Sequence, residues 1–212
     1  MSVVREFDLN IEPVCGGARF ERGVLVERPE RDAGMTTEAR VVSAFPAGRG
    51  DDAAALVFEY MAATQAETGQ AVPAEIGELP AVLQRECHNL QAVYRPPGAL
   101  LIADQGGHPS GCVGLAPRSQ ERTAEIKRRY VRPALRGNGI ARILMRQAHH
   151  HAARHGMTRL ILNVLPARTR VISFYRRLGY NETEPFATES PVTMIYMEWP
   201  VTSDDIFSTH RS

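Results

Sequence analysis

The sequence has little of what marks secreted, membrane-embedded or nucleic-acid-binding chains. Its three cysteines (Cys15, Cys87 and Cys112) are an odd number at scattered positions, which gives no disulfide framework and suits reduced thiols. No apolar run approaches the roughly 20 residues of a membrane-spanning helix, and the N-terminus lacks the charged-then-apolar order of a signal peptide. The formal net charge of +1 gives no large field to attract nucleic acid or an anionic membrane. These absences favour a cytoplasmic protein with neither kind of partner.

Lysine is almost absent too. Among the 25 basic residues only Lys127 is a lysine, and we interpret this bias as the mark of a GC-rich, bacterial coding sequence rather than of function. At 212 residues the chain is long enough to bury one good-sized core.

What is present divides the chain into three parts. Residues 1–38 are dense in Arg, Glu and Gly and predict a peripheral or poorly ordered N-terminal extension, and we expect residues 201–212 to form a C-terminal tail. In between, residues 39–200 alternate strand and helix patterns. Strands are predicted at about 41–44, 99–104, 111–116, 123–131, 159–165 and 192–199. Helices are predicted after a cap at Asp51 or Asp52, over 81–93, from 140 to a stop at Gly156, and over about 169–178. This order predicts an α/β fold with a mixed, mostly antiparallel sheet flanked by helices in a single domain.

The most informative segment is Arg136-Gly-Asn-Gly-Ile-Ala141, between a strand and a helix whose apolar stripe begins at Ile140. Glycine lets a backbone approach a ligand closely, and the first helical turn leaves N–H donors unpaired at the positive end of the helix dipole. Such a turn binds phosphate or pyrophosphate with backbone donors alone. The segment therefore predicts a phosphorylated cofactor, with an ordinary glycine-containing turn as the alternative.

Neither common nucleotide-binding motif fits this segment. A G-x-G-x-x-G turn needs a third glycine where the chain has Arg142. A P-loop needs Gly-Lys-Ser/Thr, which does not follow.

The segment does match Gln/Arg-x-x-Gly-x-Gly/Ala, the acetyl-coenzyme A signature of the GNAT superfamily of N-acetyltransferases, through Arg136, Gly139 and Ala141. The strand pattern over 124–133 resembles the fourth strand of that superfamily. The segment Tyr175-Arg-Arg-Leu-Gly-Tyr180 resembles its second signature, Tyr-x-x-Leu-Gly-Phe/Tyr. On these motifs, about residues 40–200 resemble a GNAT N-acetyltransferase.

The resemblance implies acetyl-coenzyme A (acetyl-CoA) as co-substrate and assigns residues to it. Backbone atoms near Tyr130 and Val131 are expected to pair with the pantetheine arm like an extra strand. The pyrophosphate is expected to contact backbone N–H groups from Arg136, Gly137, Asn138, Gly139, Ile140 and Ala141. Many members use an asparagine against the pantetheine where this chain has Arg168, which leaves that contact open.

Glu125 is the candidate base. A free amine near pKa 10 is mostly protonated at neutral pH, so its attack on a thioester requires a proton acceptor, directly or through water. The offset of Glu125 from Arg136 is similar to that of the catalytic glutamate in the histone-acetylating branch of the superfamily. A solvated or salt-bridged carboxylate beside Lys127 and Arg129 is the alternative.

Tyr175 is the candidate acid. In many members the tyrosine of the second signature protonates the leaving thiolate, and the resemblance implies this role for Tyr175. At helical spacing Val171, Phe174, Tyr175 and Leu178 also form a core stripe, so packing is the alternative.

Other polar residues carry weaker signals. His151 and His155 stand at metal-ligand spacing, but no Glu completes a His-Glu-x-x-His site, and solvated histidines on a mostly exposed helix with no metal are the expectation. Tyr94, Arg95 and the loop at 69–80 fall in the region that shapes the acceptor pocket in relatives, and either contact substrate or lie at the surface.

The sequence thus predicts an enzyme that transfers an acetyl group from acetyl-CoA to a primary amine by direct attack. The expected acceptor is a small, amino-acid-like metabolite. A protein N-terminus or lysine side chain is the second candidate, and a non-catalytic acyl-CoA sensor is the third. The oligomeric state is open, a homodimer included.

Overall fold

The computed structural model describes residues 18–21, 24–27, 39–119, 122–186 and 193–202. Predictions for the rest of the 1–38 extension, for the start of the last strand at Val192 and for tail residues 203–212 lie outside this part. The strands are β1 (Ala18–Glu21), β2 (Val24–Glu27), β3 (Arg40–Ser43), β4 (Ala99–Gln105), β5 (His108–Pro117), β6 (Thr123–Val131), β7 (Arg159–Val164), β8 (Asn181–Glu182) and β9 (Ile195–Pro200). The helices are α1 (Gly50–Glu67), α2 (Ala81–His88), α3 (Leu90–Val93), α4 (Ile140–Arg154) and α5 (Thr169–Arg177), with 3-10 turns at Ile76–Glu78 and Pro133–Leu135.

Seven strands form the main sheet, in the order β3-β4-β5-β6-β7-β9-β8. Every neighbouring pair is antiparallel except β6 and β7, which are parallel. This confirms the predicted mixed, mostly antiparallel sheet. β1 and β2 pair with each other in a separate antiparallel sheet, within a compact unit of residues 1–36.

The main sheet separates two apolar layers. One layer lies under α4 and α5 and includes Leu144 and Leu162, both essentially inaccessible to solvent. The other lies under α1, α2 and α3 and includes Leu56 and Leu100, which are equally buried. Burying both faces of the sheet in this way gives one domain with apolar core on each side of the sheet.

The helix predicted over 81–93 is two helices, because the chain breaks at Asn89. Asn89 has a φ of −128°, and its side-chain amide donates to the Arg85 carbonyl at 2.8 Å. Asparagine competes with helical hydrogen bonding in this way, which apolar periodicity does not report. No described helix combines the length and apolarity needed to cross a bilayer.

Candidate active site

β6 separates from β7 part-way along its length. The parallel pairing covers only Thr123–Glu125 against Arg159–Ile161, whereas β6 remains paired with β5 as far as Val131. Among the described strands, residues 126–131 therefore have a partner on one side only. An extended ligand can add to such a free edge with strand-like backbone hydrogen bonds. The backbone of Tyr130 and Val131, predicted to bind pantetheine, lies along this edge.

A bulge at Arg128 reverses the side chains in the second half of β6. The pairing with β5 admits one extra residue here, and Arg128 has a φ of 52°. Ala124 and Ile126 lie in the α4–α5 layer, but Tyr130 lies in the α1–α3 layer. In an unbroken strand strict alternation would place all three side chains on one face, so it is the bulge that moves Tyr130 to the other face.

The turn before α4 presents a row of unused backbone donors. Gly137 and Gly139 have φ values of 86° and 78°, and Gly139 directly precedes the 15-residue helix. A Cβ added to either glycine would meet no atom within 4 Å, so glycine is needed here for its backbone conformation. The N–H groups of residues 137–141 donate to no acceptor in the described part of the chain. Five consecutive donors at the positive end of a helix fit a pyrophosphate.

The side chains of this turn are engaged with the protein. Arg136 Nε donates to the Val131 carbonyl at 3.1 Å, which ties the turn to the end of β6. Ile140 is 1% exposed and belongs to the core, and Ala141 packs against that core. The predicted residues 136–141 are therefore brought beside Tyr130 and Val131, and what they offer a ligand is backbone.

Tyr175 on α5 combines packing with an available hydroxyl hydrogen. It is 5% exposed, and its ring packs against Phe174 and Tyr180 at centroid distances of 5.5 and 5.3 Å. Arg129 Nε donates to Tyr175 Oη at 3.0 Å. Because a guanidinium only donates, the phenol oxygen accepts in this bond and keeps its own hydrogen for another acceptor. None of the described residues provides that acceptor.

Glu125 is the last residue of β6 that pairs with β7. Its side chain is 12% exposed and forms an ion pair with Arg118, Nη1 to Oε2 at 3.2 Å, rather than with Lys127 or Arg129. It projects from the face opposite Ala124, whereas Tyr175 belongs to the same layer as Ala124. The two predicted catalytic residues thus lie on opposite faces of the sheet, and both adjoin the unpaired stretch of β6.

An ion-pair cluster that sequence reasoning missed connects α2 to the bulge. Glu86 accepts two hydrogen bonds from Arg128, at 2.8 and 2.6 Å, one from Tyr94 at 2.9 Å, and lies 3.5 Å from Lys127. Burial alone would raise the pKa of Glu86, but the hydrogen bonds and charge of Arg128, helped by Lys127, lower it to about 2. Tyr94, a candidate for substrate contact, is 1% exposed and serves this cluster instead.

Arg168 takes a structural position in place of the family's asparagine. Its guanidinium donates to Glu67 at 2.9 Å and to Thr64 at 3.0 Å, both on α1. Arg168 thus joins the start of α5 to the end of α1. In the sequence, the one sign of this role is that an arginine stands where many family members have an asparagine.

His149 and His151 on α4 contact other parts of the protein, whereas His155, just after the helix, is exposed. His149 stacks on Trp199, with centroids 3.9 Å apart, and its Nε2 lies 3.1 Å from Tyr180 Oη. His151 Nε2 lies 2.9 Å from the Pro97 carbonyl, and the ring of His155 stacks on that of His151 at 4.0 Å. The described residues contain no cluster of metal-ligating side chains.

Comparison with known proteins shows which family has this arrangement. The model of the acetyltransferase (GNAT) family matches residues 64–180. An uncharacterized N-acetyltransferase of Schizosaccharomyces pombe is 30% identical over 114 residues, 53% of this chain and 70% of that protein. An IAA acetyltransferase of Azospirillum brasilense is 28% identical over 127 residues, 59% of this chain and 83% of that protein.

Among solved structures, a Salmonella typhimurium protein determined with its cofactor acetyl-CoA has the same fold. The TM-score is 0.57 at 18% identity, over 78% of this chain and 95% of that chain. The family match spans the turn before α4, the unpaired edge of β6 and Tyr175. This chain therefore belongs to the GNAT family of acetyl-CoA-dependent N-acetyltransferases.

Proposed function

We propose that this N-acetyltransferase transfers the acetyl group of acetyl-CoA directly to a primary amine of a small, amino-acid-like molecule. One observation carries the proposal: the unused donors of residues 137–141, the free edge of β6 and the available hydrogen of Tyr175 adjoin one another. Together they match the needs of a pyrophosphate, a pantetheine arm and a leaving thiolate.

Binding of acetyl-CoA rests on backbone groups. The N–H groups of residues 137–141 would hold the pyrophosphate, and the edge of β6 at Tyr130 and Val131 would pair with the pantetheine amides. The Salmonella protein of the same fold, determined with acetyl-CoA, supports acetyl-CoA as the ligand.

When bound, acetyl-CoA supplies a thioester that an amine can attack without a covalent enzyme intermediate. Glu125 takes the proton of the incoming amine, directly or through water. Tyr175 gives its hydroxyl hydrogen to the departing sulfur, an acceptor that the protein itself does not provide. The two roles suit their positions on opposite faces of the sheet beside the free edge, where the attacking and departing groups need not compete for one side chain.

The described cysteines favour direct transfer over an acetyl-cysteine intermediate. Cys112 is fully buried, and burial together with the charge of Glu59 raises its pKa to about 12. Burial and the charge of Glu86 also raise the pKa of Cys87. Since the thiolate is the nucleophilic form, neither side chain is activated for attack. Buried free thiols also support our placement of the protein in a bacterial cytoplasm.

The ion pairs that join α1 and α2 to the end of β6 favour a small acceptor over a protein. Glu59 on α1 pairs with Arg132 at 2.7 Å, and Glu86 on α2 pairs with Arg128. Arg168 then links the end of α1 to α5. We expect these three links to hold α1 and α2 in place on the side where the acceptor is expected to bind, whereas a polypeptide acceptor needs an open groove. Acetylation of a protein N-terminus or lysine is the second candidate.

The test is acetyl transfer from acetyl-CoA to a panel of amines, read as released CoA thiol and by product mass. The panel holds amino acids, other small primary amines and short peptides with free N-termini or lysines. Turnover highest on a small amine supports the proposal, and a preference for peptides selects the second candidate. Tight binding of acetyl-CoA with no transfer to any amine would overturn it in favour of a sensor.

A further inference from the structure

β6 carries one cation that no described carboxylate meets. Arg129 lies in the unpaired stretch of β6, half-buried, while its neighbours Lys127 and Arg128 both pair with Glu86. The part of the chain that the structure describes gives Arg129 no ion pair within 4 Å. Its contacts are instead aromatic: its Cζ lies 4.7 Å from the ring centre of Phe174 and 5.2 Å from that of Tyr175.

We propose that Arg129 is a positioning residue for Tyr175: its hydrogen bond aims the hydroxyl hydrogen at the departing sulfur, and its charge stabilises the phenolate left behind. This inference rests on the proposed role of Tyr175 as the acid. Arg129 acts through Tyr175 in it and needs no contact with either substrate.

The bulge is what gives Arg129 this position. In a regular strand Arg129 would project with Glu125, away from the layer that holds Tyr175. The extra residue at Arg128 instead turns Arg129 toward α5, where its Nε reaches Tyr175 Oη at 3.0 Å. The same bulge thus sends Arg128 to Glu86 and Arg129 to Tyr175.

The proton transfer balances when the proton released by the attacking amine is counted. As the carbon–sulfur bond breaks, its electron pair moves to sulfur and the Tyr175 hydroxyl hydrogen follows as a proton, giving free CoA thiol. The Tyr175 oxygen then bears a negative charge, with the Arg129 guanidinium already bonded to it. The phenolate regains a proton from the one that the attacking amine released, through solvent.

A passive stacking role explains Arg129 less well. Partial burial of a cation without a counter-ion is unfavourable, and cation–π contacts offset only part of that cost. The cost is recovered when a negative charge develops at Tyr175 Oη, because the compensating cation is already in place and needs no reorganisation. The electrostatic environment of Arg129 is therefore more favourable when Tyr175 is losing its proton than in the resting enzyme.

A double-mutant cycle between Arg129→Met and Tyr175→Phe tests the inference, with acetyl-CoA and the most active amine of the panel. We expect Arg129→Met to lower kcat by about tenfold with little change in KM, a smaller loss than that from Tyr175→Phe. In the Tyr175→Phe background the same substitution should change kcat by less than about twofold, because the group it acts on is gone.

Two further variants complete the design. Arg129→Lys keeps the charge and a donor, so it should recover part of the loss, and it undergoes the same cycle in case Arg129→Met folds poorly. Arg154→Met removes an equal charge from an exposed position at the end of α4 and should leave kcat unchanged.

The outcomes separate this inference from the proposed function. If Arg129→Met costs the same in both backgrounds, or costs nothing, Arg129 does not act through Tyr175 and the inference is wrong. If Tyr175→Phe itself keeps full turnover when chemistry is rate-limiting, the proposed acid role fails first and the inference with it.

Discussion

The Arg128 guanidinium meets the Glu86 carboxylate with two hydrogen bonds, from Nε to Oε1 at 2.8 Å and from Nη2 to Oε2 at 2.6 Å. This bidentate pair joins α2 to the one irregular point of β6. Both side chains are largely removed from solvent, at 17% and 10% exposure. Arg128 has a φ of 52°, a conformation that costs free energy for any residue with a Cβ. The pair therefore offsets the cost of the bulge on which the active-site geometry depends.

The pair predicts a specific acid sensitivity. The folded-state pKa of Glu86, about 2, lies below its ordinary 4.5, so its contribution to stability is complete above about pH 4.5 and is lost as the pH falls toward 2. This contribution is on the order of 3 kcal/mol. Chemical denaturation of wild type and Glu86→Gln from pH 6 to 2.5 should show a steeper fall in the free energy of unfolding for wild type.

A matched control is the exposed ion pair of Arg176 and Glu182, whose side chains are 56% and 54% exposed. Glu182→Gln should change the free energy of unfolding by less than about 1 kcal/mol. Parallel pH profiles for wild type and Glu86→Gln would show that Glu86 does not titrate as described.

The turn before α4 predicts that cofactor binding depends on backbone more than on the arginine side chain. Acetyl-CoA at a hundredfold excess over its Kd should stabilise the fold by about 2.7 kcal/mol. Gly139→Asp should reduce this gain more than Arg136→Ala does, because it strains a positive φ and puts a negative charge where pyrophosphate binds. Gly69→Asp has a similar φ of 70° and open surroundings, so it controls for backbone strain. A thermal melt unmoved by acetyl-CoA in wild type would contradict the cofactor assignment.

Removing the hydroxyl oxygen of Tyr175 should lower the rate of acetyl transfer without unfolding the protein. Tyr175→Phe keeps the ring that packs on Phe174 and Tyr180. Turnover should fall by about 10²-fold or more, the usual scale of general acid catalysis, while the thermal shift with acetyl-CoA is retained. Rapid-quench measurement of a single turnover isolates the chemical step. Undiminished single-turnover rates would leave Tyr175 with packing alone.

Glu125→Gln should lower kcat/KM mainly at low pH, where the amine is most protonated and most needs a proton acceptor. Arg118→Gln provides the matched variant, since it breaks the same ion pair but leaves the Glu125 carboxylate in place. Profiles of kcat/KM against pH for both variants distinguish the roles. Identical profiles would mean that Glu125 serves only its ion pair with Arg118.

Short-range patterns were enough to predict six of the seven strands of the main sheet, the turn before α4 and the helix of Tyr175, but not the two-residue strand β8. These elements were predicted from alternation along the strands, glycine spacing in the turn and an apolar stripe on the helix, all of which are local signals. Arg128 and Glu86 are 42 positions apart, and nothing local to either indicates the pair. Three consecutive cations at 127–129 likewise give no sign of which one faces α5, because that depends on the bulge.

Tyr94 shows a second limit of local reasoning. Its ring packs against Gly114 on β5, where a Cβ would come within 2.2 Å of a ring carbon, so only glycine leaves room for it. From that position its hydroxyl reaches Glu86 at 2.9 Å. In the sequence, a tyrosine near the acceptor region suggests a substrate contact. Its packing against Gly114 of β5, which only the structure shows, makes it part of the core.

A chain that begins at Met35 is expected to fold and transfer acetyl groups like the full chain. All seven strands of the main sheet, from Arg40 onward, lie within the compact unit of residues 37–212. The charge-rich composition of residues 1–34 offers little apolar area to bury. The competing hypothesis is that Val24-Leu25-Val26, which form part of β2, add a strand to an edge or mediate dimer contacts. Equal melting temperature, turnover and sedimentation for both chains would support the extension as peripheral. A large drop in stability or activity on truncation, or loss of a dimer, would instead show that the segment belongs to the working fold.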